Sequence, residues 1–278
     1  MEQKIPKIIH YCWFGGNPLP QDAVACIESW KKFCPDYEIM EWNEKNFPVD
    51  YNDYVKEAYE AKKWAFVSDV ARLFALVNYG GVYMDTDVEV VKPLDEILTY
   101  DAISGFESSG SVPTGLMACS KGHRFFEELL HSYDGEHFVM EDGSYNVTTN
   151  VVRITNACLE NGLILNDTEQ TVCGFTFKPH DVFCPKDIVT HDIFLTENTL
   201  AIHHFSGSWL SEEKIYAKEF RKRHKRIPRF MALHISGFIA AWKFRGMRGA
   251  FSEVGAYFKE RKKQKKRERE AKKVNQSK

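Results

Sequence analysis

Residues 64–87 read WAFVSDVARLFALVNYGGVYMDTD, and they join a helix-like pattern to a strand-like one. Apolar residues recur every three or four positions over residues 64–79, which predicts an amphipathic helix. The Gly80-Gly81 pair then supplies the positive-φ backbone with which helices commonly end. The apolar residues that follow predict a strand that ends directly before Asp85. The stretch therefore predicts a helix–turn–strand unit that delivers Asp85 and Asp87 to a strand end.

Helical and extended patterns alternate along the rest of the chain. Strands are predicted over residues 7–13, 37–42, 82–84, 88–91, 102–106, 115–119, 172–177 and 200–204. Further helices are predicted over residues 22–33, 52–61, 125–133 and 148–161. This alternation predicts an α/β fold with a largely parallel sheet, at least in the first half of the chain.

Charge divides the sequence into two parts. Residues 1–213 carry 15 Lys and Arg against 34 Asp and Glu, a net charge of −19, whereas residues 214–278 carry 22 against 5, a net charge of +17. We therefore expect a globular domain over residues 1–213 and a basic, amphipathic helical tail over residues 214–278. The final residues of the tail are expected to be disordered because they are highly charged and have few apolar residues.

The cysteines and the N-terminus favour a cytoplasmic protein. Seven cysteines without a CxxC pair predict free thiols in place of a disulfide framework or a zinc site. The first residues lack the apolar core of a signal peptide. The sequence contains no run of about 18 apolar residues, so no membrane span is predicted.

The carboxylates of Asp85 and Asp87 are two residues apart, so both can face one side of an extended or turned backbone. Like charges this close favour a bound cation, because without one they raise the pKa of one member. Mg²⁺ and Mn²⁺ take oxygen ligands, keep waters and bind substrate phosphates. Such a pair also occurs in solvated loops, but its place after a buried strand and a glycine pair favours a metal site.

Asp69 and Arg72 lie three residues apart on the predicted helix and share one helix face. Two interpretations are open at this point. They form an intrahelical salt bridge worth about a few tenths of a kcal/mol, or they grip the hydroxyl groups of a sugar.

The ordered pattern Ser68-Asp69, Arg72, Gly80-Gly81, Tyr83, Asp85 and Asp87 resembles glycosyltransferase family 32, a family of DXD sugar-binding transferases. It is also similar to the glucosyltransferase domain of the large clostridial toxins. The resemblance covers roughly residues 5 to 210. It implies a GT-A fold, which is the Rossmann-like α/β fold of nucleotide-diphospho-sugar transferases. It further implies a divalent metal, Mn²⁺ or Mg²⁺, and retention of anomeric configuration.

The resemblance assigns roles to residues at both ends of the domain. Trp13 would contact the nucleobase of the donor, and a core tryptophan is the alternative. The segment AIHHFSGSW, residues 201–209, would place a histidine on the metal or the diphosphate. His204 precedes Phe-Ser-Gly, so we predict it in preference to His203. Trp209 would cap the donor site, while the alternative for this segment is a buried strand end.

The acceptor side is less defined by the resemblance. Residues 106–123 are rich in loop-forming residues, and in the family this region lies beside the donor sugar. Residues 146–150 (NVTTN) lie where many members have a Thr-Gly-Pro turn, and this chain has neither that Gly nor that Pro.

The tail mixes aromatic and apolar residues with basic ones, which predicts an amphipathic anchor on an anionic membrane surface. Such an anchor would hold the protein at the inner face of the cell membrane. Nucleic-acid binding and a solvated tail are the alternatives, and no motif supports the first. We therefore expect no nucleic-acid partner.

Together these features predict a metal-dependent, retaining glycosyltransferase. It would move a hexose from a UDP- or GDP-sugar donor to a hydroxyl of a glycan or lipid-linked glycan, in the synthesis of a cell-surface polysaccharide or capsule. The predicted catalytic residues are Asp69, Arg72, Asp85 and Asp87. The predicted donor-binding residues are Trp13, Asp69, Arg72, Asp85 and Trp209, and the predicted metal ligands are Asp85, Asp87 and His204. A toxin-like protein glycosyltransferase and a non-catalytic sugar-nucleotide or glycan-binding module remain as alternatives.

Overall fold

A computed structural model of the chain describes residues 2–107, 110–207, 211–224, 226–228, 231–252 and 255. The helices are α1 (Gln21–Phe33), α2 (Asp53–Glu60), α3 (Trp64–Tyr79), α4 (Arg124–His131), α5 (Asn150–Glu160), α6 (His180–Phe183) and α7 (Glu212–Arg223), with a 3-10 helix over Asp95–Thr99. The strands are β1 (Ile8–Cys12), β2 (Glu38–Trp42), β3 (Gly81–Met84), β4 (Val88–Val90), β5 (Ala102–Gly105), β6 (Leu116–Cys119), β7 (Gln170–Val172), β8 (Phe175–Lys178) and β9 (Ala201–His203).

Seven strands form one mixed sheet in the order β2-β1-β3-β6-β5-β8-β7. Strand β1 is parallel to β2 and β3, whereas β6 is antiparallel to its neighbours β3 and β5. Strand β8 is parallel to β5, and β7 is antiparallel to β8. Consequently β1, β3, β5 and β8 run in the same direction, and their carboxyl ends meet at one edge of the sheet. A separate antiparallel pair joins β4 to β9.

The central strands are buried on both faces, which accounts for their continuous apolar sequences. Every residue of β3, β5 and β6 is buried. Helix α3 ends at Tyr79 and is capped by Gly80, where φ is 68°, and β3 begins at Gly81, where φ is 102°. A Cβ at Gly81 would lie 2.6 Å from the carbonyl oxygen of Ile8 on β1. Only glycine therefore permits this turn directly beside the neighbouring strand.

The α/β class is confirmed, and the helix predicted over residues 64–79 is confirmed at both ends. The sheet is parallel around β1, as predicted, and becomes mixed from β6 onward. The prediction of a single strand over residues 172–177 is wrong. These residues belong to a hairpin of β7 and β8. Its turn is formed by Cys173 and Gly174, whose φ angles of 52° and 74° interrupt an extended chain.

The chain forms two compact units, one of residues 1–187 and 192–206 and the other of residues 188–191 and 207–278. The boundary that charge predicts after residue 213 stays a prediction. Within the second unit, α7 begins after Ser211, whose Oγ accepts a hydrogen bond from the Lys214 main chain at 3.4 Å. Residues 231–252 are also helical. None of the described helices is both long enough and apolar enough to cross a membrane.

Candidate active site

Two of the predicted site residues follow neighbouring parallel strands. Trp13 comes directly after β1, and Asp85 comes directly after β3. Because the two strands are parallel neighbours, both residues lie at the same edge of the sheet. Ligands of open α/β sheets bind at this kind of edge. The chain is held there by hydrogen bonds from the Asp85 main-chain N–H to the Gly115 carbonyl, 2.8 Å, and from Val88 N–H to the Asp85 carbonyl, 3.0 Å.

Asp85, Asp87 and His203 form a cluster whose candidate ligand atoms all lie within 4.8 Å of one another. The side chains are 29%, 19% and 13% exposed, so a solute can reach them although they are largely enclosed. His203 Nε2 lies 3.4 Å from Asp87 Oδ1, and the other carboxylate oxygen of Asp87 accepts a hydrogen bond from the Ser206 main chain at 2.7 Å.

The side chain of the predicted ligand, His204, is not the one that lies beside the carboxylate pair. His203 is the one that lies beside the two carboxylates, whereas the Nε2 atom of His204 lies 2.9 Å from Glu89 Oε2. The reason is strand register. In the antiparallel pair of β4 and β9, His203 is opposite Val88, and successive side chains of an extended segment point to opposite sides. His204 is therefore directed away from the carboxylate pair.

Gly115 provides the space that His203 occupies. A Cβ at this position would lie 2.7 Å from both Cε1 and Nδ1 of the imidazole ring. The ring also packs against Phe205, with ring centroids 4.1 Å apart. The ring of His203 is therefore held in one place by a glycine and an aromatic side chain.

Arg72 is a buried cation that joins three parts of the site. Its Nη2 lies 3.2 Å from Asp69 Oδ1 and 3.5 Å from Asp85 Oδ1. Its Nη1 donates to the carbonyl of Thr114 at 3.0 Å, and its guanidinium carbon lies 4.7 Å from the centre of the Tyr83 ring. Sequence alone left a salt bridge and a sugar-binding pair as alternatives. The geometry shows the salt bridge, extended to Asp85.

Tyr83 and Asn150 also belong to this network, and neither is among the predicted site residues, although Tyr83 is part of the pattern that carries the resemblance. The Tyr83 hydroxyl donates to Asp85 Oδ1 at 2.8 Å. The Asn150 main chain donates to Asp69 Oδ2 at 3.1 Å. The alternation of β3 could have indicated Tyr83, since it lies two residues before Asp85 and faces the same side of the strand. No local signal indicates Asn150.

The network places a basic side chain beside each carboxylate of the pair. Burial acts to raise the pKa of Asp87, but His203 and the Ser206 main chain outweigh it and hold that pKa below its usual range. Burial acts to lower the pKa of His203, but the Asp87 carboxylate raises it well above its usual value. Arg72 provides the corresponding positive charge beside Asp85.

Asp69 is the most deeply enclosed carboxylate of the group. Burial raises its pKa to about 6, in opposition to Arg72 and to the hydrogen bond from Asn150. The Cys12 thiol lies in the same enclosed region, and burial raises its pKa to about 12, so it stays protonated at neutral pH. Asp85 and Asp87 are therefore the more accessible carboxylates.

The donor set fits a divalent metal ion. One oxygen atom of each carboxylate and one imidazole nitrogen all lie within 4.8 Å of one another, so they can bind the same ion. Carboxylates suit Mg²⁺ and Mn²⁺, while imidazole suits transition metals. Asp85, Asp87 and His203 would hold such an ion. When bound there, it would supply positive charge to neutralise a diphosphate leaving group.

The roles predicted for the two tryptophans of the donor site both stay predictions. Trp13 is partly buried at the sheet edge, and its Nε1 donates to the Asn17 carbonyl at 2.5 Å. Its contact with a nucleobase stays a prediction. Trp209 lies outside the described residues, so its predicted role also stays a prediction.

The segment that contains α3 and the carboxylate pair is similar to a known protein family. Residues 20–103 match the family model described as "Glycosyltransferase sugar-binding region containing DXD motif". This segment is similar to the DXD sugar-binding region of glycosyltransferases. The resemblance to glycosyltransferase family 32 is thereby confirmed over the residues that include Asp69, Arg72, Asp85 and Asp87.

Curated relatives extend the similarity to about half of the chain. Inositol phosphoceramide mannosyltransferase 3 of Schizosaccharomyces pombe is 31% identical over 136 residues, which are 46% of this chain and 37% of that protein. A mannosyl phosphorylinositol ceramide synthase of Saccharomyces cerevisiae, SUR1, is 28% identical over 144 residues, which are 49% of this chain and 37% of that protein. The alignments thus span less than half the length of these relatives.

Among solved structures, the galactosyltransferase LgtC in complex with donor and acceptor sugar analogues is similar with a TM-score of 0.42. Its sequence identity is 13%, and the superposition covers 83% of this chain and 95% of LgtC. Similarity at this level does not identify equivalent site residues.

Proposed function

We propose that this chain is a metal-dependent, retaining glycosyltransferase that moves a hexose from a UDP- or GDP-sugar to a hydroxyl group. The observation that carries the proposal is the cluster of Asp85, Asp87 and His203 at the carboxyl edge of the sheet. The first two of these residues lie in the segment that matches a glycosyltransferase sugar-binding region. Two carboxylates at such an edge suit a cation that binds the diphosphate of a donor.

The protein residues then have separate roles. Asp85, Asp87 and His203 hold the cation, and the hydrogen bond from Tyr83 orients Asp85. Arg72 supplies a positive charge beside both Asp85 and Asp69. Attack on the same face as the departing phosphate retains the anomeric configuration, and a phosphate oxygen of the leaving group can accept the proton of the acceptor hydroxyl. We therefore assign no nucleophile among the side chains.

The names of the curated relatives favour a mannosyl donor and a glycolipid acceptor. Both relatives described above are named for mannose transfer to an inositol phosphoceramide or for the synthesis of the mannosylated product. Since the similarity covers less than half of each relative, donor and acceptor need to be measured for this chain. A precursor of a cell-surface polysaccharide or a glycolipid is the acceptor class that we propose.

A hydrolysis screen tests the proposed activity. The full chain is incubated with UDP-glucose, UDP-galactose and GDP-mannose, each with Mn²⁺, with Mg²⁺ and with EDTA, and the release of nucleoside diphosphate is measured. We expect release from one donor only in the presence of a divalent cation. An Asp85→Asn variant should lose this release, and the exposed Asp142→Asn variant should retain it. Cation-dependent donor binding without release would instead indicate a non-catalytic module.

The acceptor is tested with the active donor and radiolabelled sugar. Transfer to inositol-containing sphingolipids or to polysaccharide precursors supports the proposed class. Transfer only to proteins of a cell extract would instead support the toxin-like alternative.

We further propose that the basic tail holds the enzyme at the cytoplasmic face of an anionic membrane. Within residues 231–252, Trp242 and Met247 are 55% and 54% exposed, and each is followed directly by a basic residue, Lys243 and Arg248. Exposed apolar side chains interspersed with cations suit the boundary between headgroups and acyl chains. Each basic residue near an anionic surface contributes about 1 kcal/mol to binding.

Co-sedimentation with vesicles tests this attachment. We expect the full chain to sediment with vesicles that contain phosphatidylserine and to remain in solution with neutral phosphatidylcholine vesicles. A variant with Trp242→Ser, Lys243→Gln and Arg248→Gln should sediment less. Equal sedimentation of this variant and the wild type would contradict the proposal.

A further inference from the structure

Arg221 on α7 is a partly buried arginine whose guanidinium has no carboxylate partner among the described residues. Its Nη1 donates to Ser236 Oγ at 3.0 Å, and Ser236, in the helix of residues 231–252, is fully buried. Its Nε is also buried and has no hydrogen-bond partner in the described part of the chain. A guanidinium has five N–H donors, and a buried donor without an acceptor costs free energy. Most of the hydrogen-bonding capacity of Arg221 is therefore unused.

Ser236 fixes the orientation of this guanidinium. Its hydroxyl donates to the Leu233 carbonyl at 3.1 Å, so its oxygen is available to accept from Arg221. With Nη1 held in this way, Nε and Nη2 form the other edge of the planar group. Two parallel N–H groups on such an edge match two oxygen atoms of a carboxylate or a phosphate. Because Arg221 is only partly buried, an anion can approach it from solvent.

Two other arginines show how the chain usually pairs such a group. Arg245, in the helix of residues 231–252, contacts Glu213 of α7 at 2.8 Å, and Arg153 contacts Glu136 at 3.0 Å. Burial lowers the pKa of Arg221, and no carboxylate among the described residues raises it. Charges that leave water are normally paired with an opposite charge. The unpaired charge of Arg221 therefore points to an anion that binds from outside.

Glu212 and Glu219 of α7 lie on the face of the helix opposite Arg221. They precede it by nine and two residues, which at about 100° per residue places them about 180–200° away around the helix axis. Both line a cleft to which Lys243 also contributes, and Arg221 does not line that cleft. Neither carboxylate is therefore available to Arg221.

The face of α7 that carries Arg221 is positively charged. Lys214 and Lys218 precede Arg221 by seven and three residues, so all three lie on one side of the helix. A phosphate monoester carries about −1.5 to −2 charges at pH 7, whereas a carboxylate carries one. The positive face therefore favours a phosphate group over a carboxylate.

We propose that Arg221 binds a phosphate group and that Ser236 orients its guanidinium for this contact. A lipid headgroup and a soluble phosphate ester share the required chemistry. The inference rests on the proposed attachment of the tail to an anionic membrane for the lipid source, and it is independent of glycosyl transfer.

Diffuse attraction and a phosphate site predict different results for two arginines of α7. Arg223 is exposed and follows Arg221 by two residues, on the opposite face. Arg221→Met and Arg223→Met each remove one positive charge, so diffuse attraction to an anionic surface weakens binding equally in both. A phosphate site adds a loss that only Arg221→Met shows. With phosphatidylserine vesicles, we expect Arg221→Met to weaken sedimentation at least about threefold more than Arg223→Met does.

The soluble source is tested with inorganic phosphate and glycerol 3-phosphate, which are titrated into the full chain and followed by phosphorus NMR. EDTA is present, so no divalent cation at Asp85 and Asp87 provides a second phosphate site. We expect the wild type and Arg223→Met to bind with equal affinity and Arg221→Met to bind roughly tenfold more weakly or less. Arg221→Lys keeps the charge without the planar fork and should restore only part of the affinity.

The two arms decide the site and its source separately. A loss specific to Arg221→Met with vesicles assigns the site to a lipid headgroup, and such a loss with the soluble ligands alone assigns it to a soluble phosphate. Equal effects of Arg221→Met and Arg223→Met in both arms, or no binding by the wild type in either, would overturn the proposal.

Urea unfolding verifies that each variant is folded, which we expect because Arg221→Met removes an unpaired charge from a partly buried position. If this variant does not fold, Arg221→Lys provides the comparison with Arg223→Met. Neither arm requires enzymatic activity, so a wild type that hydrolyses no donor leaves the test intact. A wild type that binds glycerol 3-phosphate through Arg221 but no vesicle would contradict the proposed membrane attachment and support the phosphate site.

Discussion

The imidazole of His203 lies 3.4 Å from the carboxylate of Asp87, across the junction between the segment after β3 and the end of β9. The two residues are more than a hundred positions apart in sequence. Their contact brings a histidine beside the carboxylate pair of the DXD segment, so the site has three residues.

The two adjacent histidines should differ in their effect on metal binding. We expect His203→Ala to weaken Mn²⁺ binding roughly tenfold or more, because it removes an imidazole ligand, whereas His204→Ala should change it less than about threefold. Calorimetric titration of each variant with Mn²⁺ measures this difference. If His204→Ala weakens binding as much as His203→Ala, the assignment of the histidine ligand is wrong.

Gly115 should tolerate no side chain. A Cβ there would lie 2.7 Å from the His203 ring, so we expect Gly115→Ala to displace the ring, to lower the free energy of unfolding by about 1–3 kcal/mol and to weaken Mn²⁺ binding. Urea unfolding and the same titration measure both effects. Gly237→Ala is the control, since a Cβ at this position in the helix of residues 231–252 would meet no described atom within 4 Å apart from its chain neighbours and the backbone of its own helix. It should be neutral or stabilising.

Arg72 should be essential for stability. Replacement by Met leaves the carboxylates of Asp69 and Asp85 without their shared cation, and breaking a buried ion pair in this way costs about 3–5 kcal/mol. We expect Arg72→Met to unfold at a much lower urea concentration than the wild type. Arg124→Met removes an exposed ion pair with Glu128 and should cost less than about 1 kcal/mol. Similar losses in both variants would contradict the role of Arg72.

His10 should make the folded protein sensitive to mild acid. It is buried on β1, where its Nε2 lies 2.8 Å from the Gly80 carbonyl and Trp42 Nε1 donates to its Nδ1. Together these two contacts require the neutral ring. Burial lowers the pKa of His10 from 6.5 to about 4, in opposition to the hydrogen bond with Gly80.

A lowered histidine pKa means that the unfolded chain binds more protons than the native state between these two pKa values. Stability should therefore be complete above pH 6.5 and decrease as the pH falls towards 4. We expect His10 to account for about 2 kcal/mol of the stability lost between about pH 7 and pH 5. Urea unfolding of His10→Gln at the two pH values should show a smaller loss than the wild type. The exposed His131→Gln variant should behave like the wild type.

The helix–turn–strand unit of residues 64–87 was predictable because its signals are local. The helical periodicity is followed directly by the glycine pair and then by the apolar strand. The end of each feature therefore fixes the residue at which the next one begins. The position of Asp85 at the edge of the sheet follows from them. The hairpin of β7 and β8 was missed although the Cys173-Gly174 pair is a possible turn, because apolar residues on both sides suggest one continuous strand.

The rest of the site depends on contacts between distant segments. The choice between His203 and His204 is decided by the register of β9 against β4, and a shift of one residue reverses it. The position of Asn150 depends on the hydrogen bonds that join the start of α5 to Asp69 on α3. The salt bridge from Arg72 to Asp85 requires the turn between them to fold back, which the spacing of the residues does not specify.

The most direct test of the central claim is the cation dependence of donor hydrolysis in a variant that lacks both carboxylates. We predict that the wild type releases nucleoside diphosphate from its donor with Mn²⁺ and not with EDTA. Asp85→Asn combined with Asp87→Asn should fold but release no more than the background in either condition. Equal Mn²⁺-dependent release by this variant and the wild type would contradict the assignment of Asp85, Asp87 and His203 as the metal site of a glycosyltransferase.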